Sequence, residues 1–311
     1  MFKKSFLLKV AIVFLMSGLS LSCVASQDLE YKKILIKNSS MPEKSVKSLD
    51  SIVGEKELVK IIKRYDDNET AYMIDEFQRD DMKVFSSCRS RANFHMHTTS
   101  SDGTMSVEEL LNQAAEYADK CSAQNPREKY PFVVALTDHN TTDGDKIAVE
   151  TILKNPQKYK NLKVVLGMEI WAYIEKMPSQ DQKNGIHMLA LAINPYDKAF
   201  ENFGRTEREF TSVTTLINNQ KYGLIGVAHP VREIKRENIP SNKTIYDWVE
   251  DMFALYTSQR KNKILFTEAY YQRYRFYEDQ DLLSHIKKSA KKHKIMRTGS
   301  LDNHREKIYL Y

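Results

Sequence analysis

From Arg91 onward, nearly every short apolar run that could form a strand is followed by a histidine or a carboxylate. The units read Asn93-Phe94-His95-Met96-His97 with Ser101-Asp102-Gly103 just downstream, then Thr137-Asp138-His139-Asn140, then Gly167-Met168-Glu169. They continue with His187-Met188-Leu189, Ala228-His229-Pro230 and Asp302-Asn303-His304. This restricts the fold, because groups spread from His95 to His304 can act together only if the strand ends converge. A parallel α/β barrel brings them together: the carboxyl ends of its strands gather at one face, where loops build a site.

The spacing between the runs agrees with that architecture, since apolar runs alternate with helical patterns as in successive βα units. Ser106-Val107-Glu108-Glu109 is a capping box, in which Ser106 accepts from a backbone N–H and Glu109 reaches back. The helix it opens places Val107, Leu110, Leu111, Ala114, Ala115 and Ala118 on one side. Phe132 to Leu136 reads as a buried strand ending at Asp138-His139, and Val164 to Leu166 as a strand ending at Glu169. Ile186 to Ile193 reads as a longer strand with His187 at its start, and Leu224 to Ala228 leads to His229. Helices are predicted over Phe210 to Gln220, through Ile245, Trp248, Val249, Met252, Phe253 and Tyr256, and from Asp281 to Lys292. Ile264 to Phe266 leads to Glu268, and Ile295-Met296 to Asp302.

Imidazole and carboxylate are the ligands of zinc, manganese and iron. His95 and His97, two apart on a strand, point the same way and can hold one ion together. A lone His139 or His229 would be an ordinary core or surface histidine. Six of the eight histidines following this rule, with Asp102, Glu169 and Asp302, make nine groups, enough for a polynuclear metal site. The other two, His285 and His293, sit among Lys287, Lys288, Lys291, Lys292 and Lys294 and read as a solvated face.

The 311 residues allow one large α/β domain or two small ones, and 41% hydrophobic content supports a core. The formal charge of +6 is half supplied by Lys3, Lys4 and Lys9, in a leader without acids, so charge alone makes no case for a nucleic-acid partner. Residues 1–25 read as an export leader: a basic start, an apolar run from Phe6 to Met16 too short to span a bilayer comfortably, then small residues. Cleavage before Ser26 gives a soluble periplasmic or secreted product. Ser20-Leu21-Ser22-Cys23 resembles a lipobox displaced by one position, and leaves a lipoprotein anchored at Cys23 as the alternative. Residues 26–88 form an extension without motifs, in which Leu58, Ile61, Ile62 and Tyr65 mark an amphipathic helix and Asn38 to Lys47 a polar tether. That extension is expected to pack on the main domain, residues 89–311, rather than to bind a partner by itself. Cys88 and Cys121 read as structural thiols, unpaired or bridged once, rather than as a catalytic pair.

In this order, H-x-H with a downstream acid, T-D-H, G-x-E, a histidine opening a strand, A-H-P and D-x-H resemble the motifs of the PHP (polymerase and histidinol phosphatase) family of metal-dependent hydrolases. The resemblance covers roughly residues 91 to 311. It implies a distorted (β/α)7 TIM-like barrel, here with an N-terminal helical extension, and two or three divalent transition-metal ions, zinc, manganese or iron. Carried over by motif, His95, His97, Glu169 and Asp302 hold a first ion. Glu169 bridges to a second held by His187 and His229, and Asp102, His139 and His304 take a third. Some members carry histidine where this chain has Asp102. Asn93-Phe94 replaces the commoner Asp-Leu, and seven residues follow His304 where many relatives have a closing helix, a surface the extension is expected to cover.

Those ions set the expected chemistry. A hydroxide shared by two of them is a strong nucleophile near neutral pH, and the charges offset those of a phosphate ester. Glu169, Asp302 and Asp138 are the expected catalytic residues, with Asp138 equally placed to support a ligand. Arg232 and Asn140 are the expected substrate contacts, since arginine suits phosphate. Lys235, Arg236, Arg273 and Arg275 read as solvated charges, and Glu268 as a support rather than a ligand. The expected substrate is a small phosphorylated molecule. Hydrolysis of a carbamate, ester or amide, and metal binding without catalysis, are the alternatives.

Overall fold

Alternate residues of the strand Phe132–Leu136 enter two different apolar layers, as the two-residue period of a strand requires. Val133 and Ala135 join Phe94, Val165, Met188, Leu189, Ile225 and Phe266, whereas Phe132, Val134 and Leu136 pack under helices with Leu110, Leu111, Val149 and Ile152. A strand buried on both faces belongs to a sheet with helices outside it.

The structure, a computed structural model, describes residues 26–41, 44–67, 88, 92–174, 184–201, 208–232, 234, 239–261, 263–271, 280–300 and 302–304. The leader over 1–25 lies outside the described residues, as do Lys235, Arg236, Arg273 and Arg275. No described helix is long and apolar enough to cross a membrane.

The strands are β1 (Ala92–Asn93), β2 (Phe132–Leu136), β3 (Leu162–Ile174), β4 (Asn184–Leu191), β5 (Arg208–Glu209), β6 (Leu224–Val227), β7 (Leu265–Tyr271) and β8 (Met296–Ser300). Their order in the sheet is β1-β2-β3-β4-β6-β7-β8, with β5 pairing the end of β3. Residues just past β8 return to those just past β1. Met96 and Asn303 form a parallel bridge, His97 N–H donates to Asn303 O at 2.9 Å, and Asn303 N–H donates to His95 O at 3.2 Å. The sheet is therefore a nearly closed, distorted barrel of seven strands, the α/β class read from the sequence.

One strand runs backwards. β4 is antiparallel to both β3 and β6, while β1, β2 and β3 are parallel in succession, as are β6, β7 and β8. This explains why His187 lies in the first half of its strand: the start of a reversed strand arrives at the face where the parallel strands end. The reversal also lengthens β3. Gly167 to Ile174 pair in register with Leu191 to Asn184, so β3 runs through Glu169 instead of stopping there. Glu268 likewise lies within β7, at a register shift between Glu268 and Tyr270.

The helices are α1 (residues 26–38), α2 (Glu55–Asp67), α3 (Val107–Gln124), α4 (Asp143–Lys154), the single turn α5 (Lys198–Glu201), α6 (Phe210–Asn219), α7 (Ile245–Ser258) and α8 (Gln280–Lys292). α3 begins with the capping box: Ser106 Oγ accepts from Glu109 N–H, and the Glu109 carboxylate accepts from Ser106 N–H at 2.8 Å. Its buried side adds Tyr117 and Cys121 to the apolar residues expected there.

The extension packs against the barrel. Tyr31, Leu35, Leu49 and Ile52 are fully buried in the layer under α3 and α4, and Leu58, Ile61 and Ile62 of α2 in the other. Ile52 bridges Val164, with Val164 N–H donating to Ser51 O at 2.8 Å and Val53 N–H to Val164 O at 2.9 Å. The first half of β3 has no β4 beside it, and the extension fills that edge. The stretch from Asn38 to Lys47, read as a tether, is held at both ends where it is described: Ser40 Oγ donates to Glu150, and a 3-10 turn over Val46–Leu49 buries Leu49. Cys88 and Cys121 form a disulfide with a Cα–Cα distance of 5.3 Å, fastening the approach to β1 onto α3.

Candidate metal centre

Glu169 lies at the middle of the convergent face, fully buried. One oxygen, Oε1, is 2.8 Å from His187 Nδ1 and 3.2 Å from His229 Nε2. The other, Oε2, is 3.0 Å from His95 Nε2, 3.2 Å from His97 Nε2 and 3.1 Å from His139 Nδ1. Asp302 Oδ1 faces His97 Nε2 at 3.1 Å, and His95 Nε2 and His304 Nδ1 at 3.4 Å each. Asp102 stands outside, with Oδ1 at 3.3 Å from His304 Nε2 and Oδ2 at 3.6 Å from His139 Nε2.

Among the described residues three groupings could hold a cation, the ligand atoms of each lying within 4.8 Å of one another. One is His95, His97, Glu169 and Asp302; the second is Glu169, His187 and His229; the third is His97, Asp102, His139 and His304. Glu169 belongs to two of them. So does His97, whose Nδ1 faces Asp102 at 3.7 Å, a membership the motif order does not reveal. All nine candidate ligands are thus brought together.

The donor atoms suit cations. His95 Nε2, His97 Nδ1 and Glu169 Oε2 are buried and make no hydrogen bond, an arrangement that costs free energy unless something else engages them. Exposure is graded: His95, His97 and Glu169 are at 0%, His139 at 14%, His304 at 25% and Asp102 at 57%. The first grouping is dry, the second opens to solvent only at His187, 20% exposed, and the third meets solvent through Asp102 and His304.

The titration of these groups follows from the same crowding. Burial opposes the charge on His97, but the hydrogen bond to Asp302 and the neighbouring Glu169 carboxylate overcome it and carry the imidazole up to about 9. His95 is likewise raised against burial, by Glu169, Glu268 and Asp302. Glu169 is held well below the carboxylate range despite its burial, chiefly by His95 and His187, and Asp302 by His95 and His97. Burial pushes His139 down to about 4 and lowers His304. The inner imidazoles thus carry protons among the carboxylates, protons that a cation must displace on binding.

Several neighbours hold these ligands in place. Glu268 Oε1 is 2.9 Å from His95 Nδ1 and accepts from Ser300 Oγ, while Oε2 accepts the His229 backbone N–H at 2.7 Å. A carboxylate on the far nitrogen of a ligand histidine orients it and raises its basicity. His229 sits at φ 22° and Asp302 at 53°, backbone conformations that non-glycine residues rarely adopt, and Asn140 beside the third grouping is also at 53°. Gly103 follows Asp102 because a Cβ there would stand 2.4 Å from the His97 carbonyl.

The residues expected to touch substrate or share in catalysis are placed differently from one another. The Asp138 carboxylate accepts from Thr98 N–H, Thr98 Oγ1 and Ser101 Oγ, each at 2.7 Å, so it is spent on the loop that carries Asp102 rather than aimed at the cluster. Asn140 Oδ1 accepts from Trp171 N–H at 3.2 Å and its Nδ2 is buried without a hydrogen bond. Arg232 reaches the cluster directly, donating from Nη1 to Asp302 Oδ2. His285 and His293, read as solvated, instead flank Glu250 with Lys292. Trp171, which no motif singled out, donates from Nε1 to His139 Nδ1 at 2.9 Å.

No protein-family model matches the sequence, and no curated protein matches it. Among solved structures, a candidate metal-dependent phosphoesterase from Bifidobacterium adolescentis is similar over 71% of this chain and 90% of its own, at 15% identity and a TM-score of 0.47. A two-domain protein from Bacteroides vulgatus containing a predicted PHP-like metal-dependent phosphoesterase is similar over 70% of this chain, at 12% identity and a TM-score of 0.41. This chain spans 52% of that second protein's length.

Proposed function

We propose that this chain is an exported, PHP-like metal-dependent phosphoesterase that hydrolyses small phosphate esters. One observation carries the reading: a fully buried glutamate shared by two cation-sized groupings of ligands, with a third grouping on its solvent side. Divalent cations held there would lower the pKa of water toward neutrality and offset the charge of a phosphoryl group.

The protein's own contribution is placement. His95, His97, Glu169 and Asp302 would hold one cation, Glu169, His187 and His229 a second, and Asp102, His139 and His304, with His97, a third. Glu268 and Asp138 position these groups from behind. Arg232 is part-buried at the edge of the cluster, and its planar fork suits a phosphoryl oxygen or a second anionic group of the substrate. Clustered cations favour a dianionic monoester over a diester or a neutral amide, since only the first brings two negative charges to be offset. The disulfide supports the export reading, because such bonds persist in oxidising compartments.

The test is a panel of phosphomonoesters, phosphodiesters, carboxyl esters and amides, assayed with added Mn²⁺ or Zn²⁺. The expected result is metal-dependent phosphate release, fastest from monoesters, with Arg232→Ala raising KM more than it lowers kcat. Turnover of a neutral ester or amide with no phosphate ester cleaved would overturn the assignment.

A further inference from the structure

Trp171 lies two residues beyond Glu169 on β3, so it projects from the same face of the strand. Its backbone N–H is held by Asn140 Oδ1, and its ring stacks on His187, its register partner on β4, at 6.2 Å between centroids. The same indole meets His139 nearly edge-on at 5.3 Å and donates Nε1–H to His139 Nδ1 at 2.9 Å. Trp171 is thereby wedged between a histidine of the second grouping and a histidine of the third.

An indole N–H is a donor only, so His139 Nδ1 must present a lone pair. The hydrogen of the neutral ring then lies on Nε2, the nitrogen that faces Asp102 Oδ2. In that state His139 has no lone pair to give a cation, because one nitrogen is occupied by the indole and the other carries hydrogen. The opposite tautomer also has a partner waiting. His139 Nδ1 stands 3.1 Å from Glu169 Oε2, which makes no hydrogen bond, so an Nδ1–H would donate there and leave Nε2 bare toward Asp102.

We propose that Trp171 is a positioning residue that controls filling of the outer cation position, by fixing which nitrogen of His139 carries the hydrogen. The inference rests on the metal-centre reading above. Filling the outer position requires the indole N–H to release Nδ1, whereas neither inner grouping counts His139 among its ligands. The outer cation therefore binds more weakly than the inner ones, against a cost that belongs to a single hydrogen bond.

Trp171→Phe tests this, since phenylalanine keeps an aromatic ring against His187 and removes the N–H. The full chain, stripped of metal, is titrated with Mn²⁺ by calorimetry. The weakest class of sites should tighten in the variant by about three- to tenfold, the worth of one neutral hydrogen bond, while the tighter classes stay unchanged. Imidazole nitrogen shifts of the metal-free protein supply a second readout: His139 should carry its hydrogen on Nε2 in the wild type and on Nδ1 in the variant. An unchanged or weakened outer site, or Nδ1–H already present in the wild type, would overturn the proposal while leaving the inner sites standing. Binding of no cation by either protein would sink the metal-centre reading and this proposal with it.

Discussion

Replacing Glu268 by glutamine exchanges one carboxylate oxygen for an NH2, and neither orientation of the new amide satisfies its surroundings. The carboxylate is fully buried between His95 Nδ1, Ser300 Oγ and the backbone N–H of His229. If the NH2 faces His229, two donors confront each other without solvent, at about 1–3 kcal/mol, the cost of an unsatisfied buried group. If it faces His95, it donates to Nδ1 and moves that ring's hydrogen to Nε2. That is the nitrogen 3.0 Å from Glu169 Oε2, and it could then no longer give a lone pair to a cation. Both routes lead to the inner grouping of His95, His97, Glu169 and Asp302. The expected loss of metal affinity is about 10- to 100-fold, or about 1.4–2.7 kcal/mol. The assay is chelator competition for the tightest-bound Mn²⁺ or Zn²⁺, with circular dichroism to verify the fold. An intact Glu268→Gln protein holding its ions within about threefold of the wild type would refute the reasoning, since one full lost hydrogen bond already exceeds that.

Glu169→Gln should fold and yet lose at least about a hundredfold in kcat, more than the Glu268 variant, because it removes the charge shared by two groupings; near-normal turnover with full ion occupancy would place Glu169 outside the chemistry. Glu250 is held down to about 2 by the hydrogen bonds of Lys292 and His293, against its partial burial. A lowered carboxylate contributes stability above its unfolded pKa of 4.5 and loses it as pH falls through about 2. Glu250→Gln should therefore cost under about 1 kcal/mol of stability near neutral pH, read as a lowered Tm, with the difference vanishing toward pH 2 in thermal melts; a constant difference across pH would contradict this. The export reading predicts a mature chain beginning near Ser26 or a lipid-modified Cys23, decided by mass analysis from the native host; an intact Met1 would count against both.

Much of the centre was legible because a ligand must sit where its strand delivers it. Short apolar runs mark the strands, and histidines or acids after them mark one face of a barrel, so the nine groups from His95 to His304 could be listed without any coordinates. Direction was not legible. A strand's two-residue period reads the same forwards and backwards, so nothing in Asn184 to Leu191 announces that β4 is reversed, or that β3 must lengthen to pair with it. Supports were harder still. Asp138 lies in the same motif as His139, yet which way its carboxylate turns depends on the Thr98–Ser101 loop, forty residues away in sequence. Glu268 reads as a support only through the family resemblance, and its hold on both His95 and the His229 backbone is purely a product of the fold. Trp171 gave no sign, since an aromatic residue on a strand is ordinary core until its N–H is seen to reach an imidazole.

Barrel closure has a consequence for timing. The seam is made by His95, Met96 and His97 pairing with Asn303, and the His97–Asp302 contact spans 205 residues of chain. A chain emerging from its N-terminus has produced seven of the nine ligands well before Asp302 and His304 exist, but His95 and His97 have no opposite wall until then. Contacts of such separation form late and slowly, because the intervening loop must be ordered before they contribute. A nascent chain can offer metals only loose, partial sites, and if it is exported unfolded, as proposed, it meets its cations on the far side of the membrane. On that reading, the ion that fills the centre is decided by the metals available where the last strand docks.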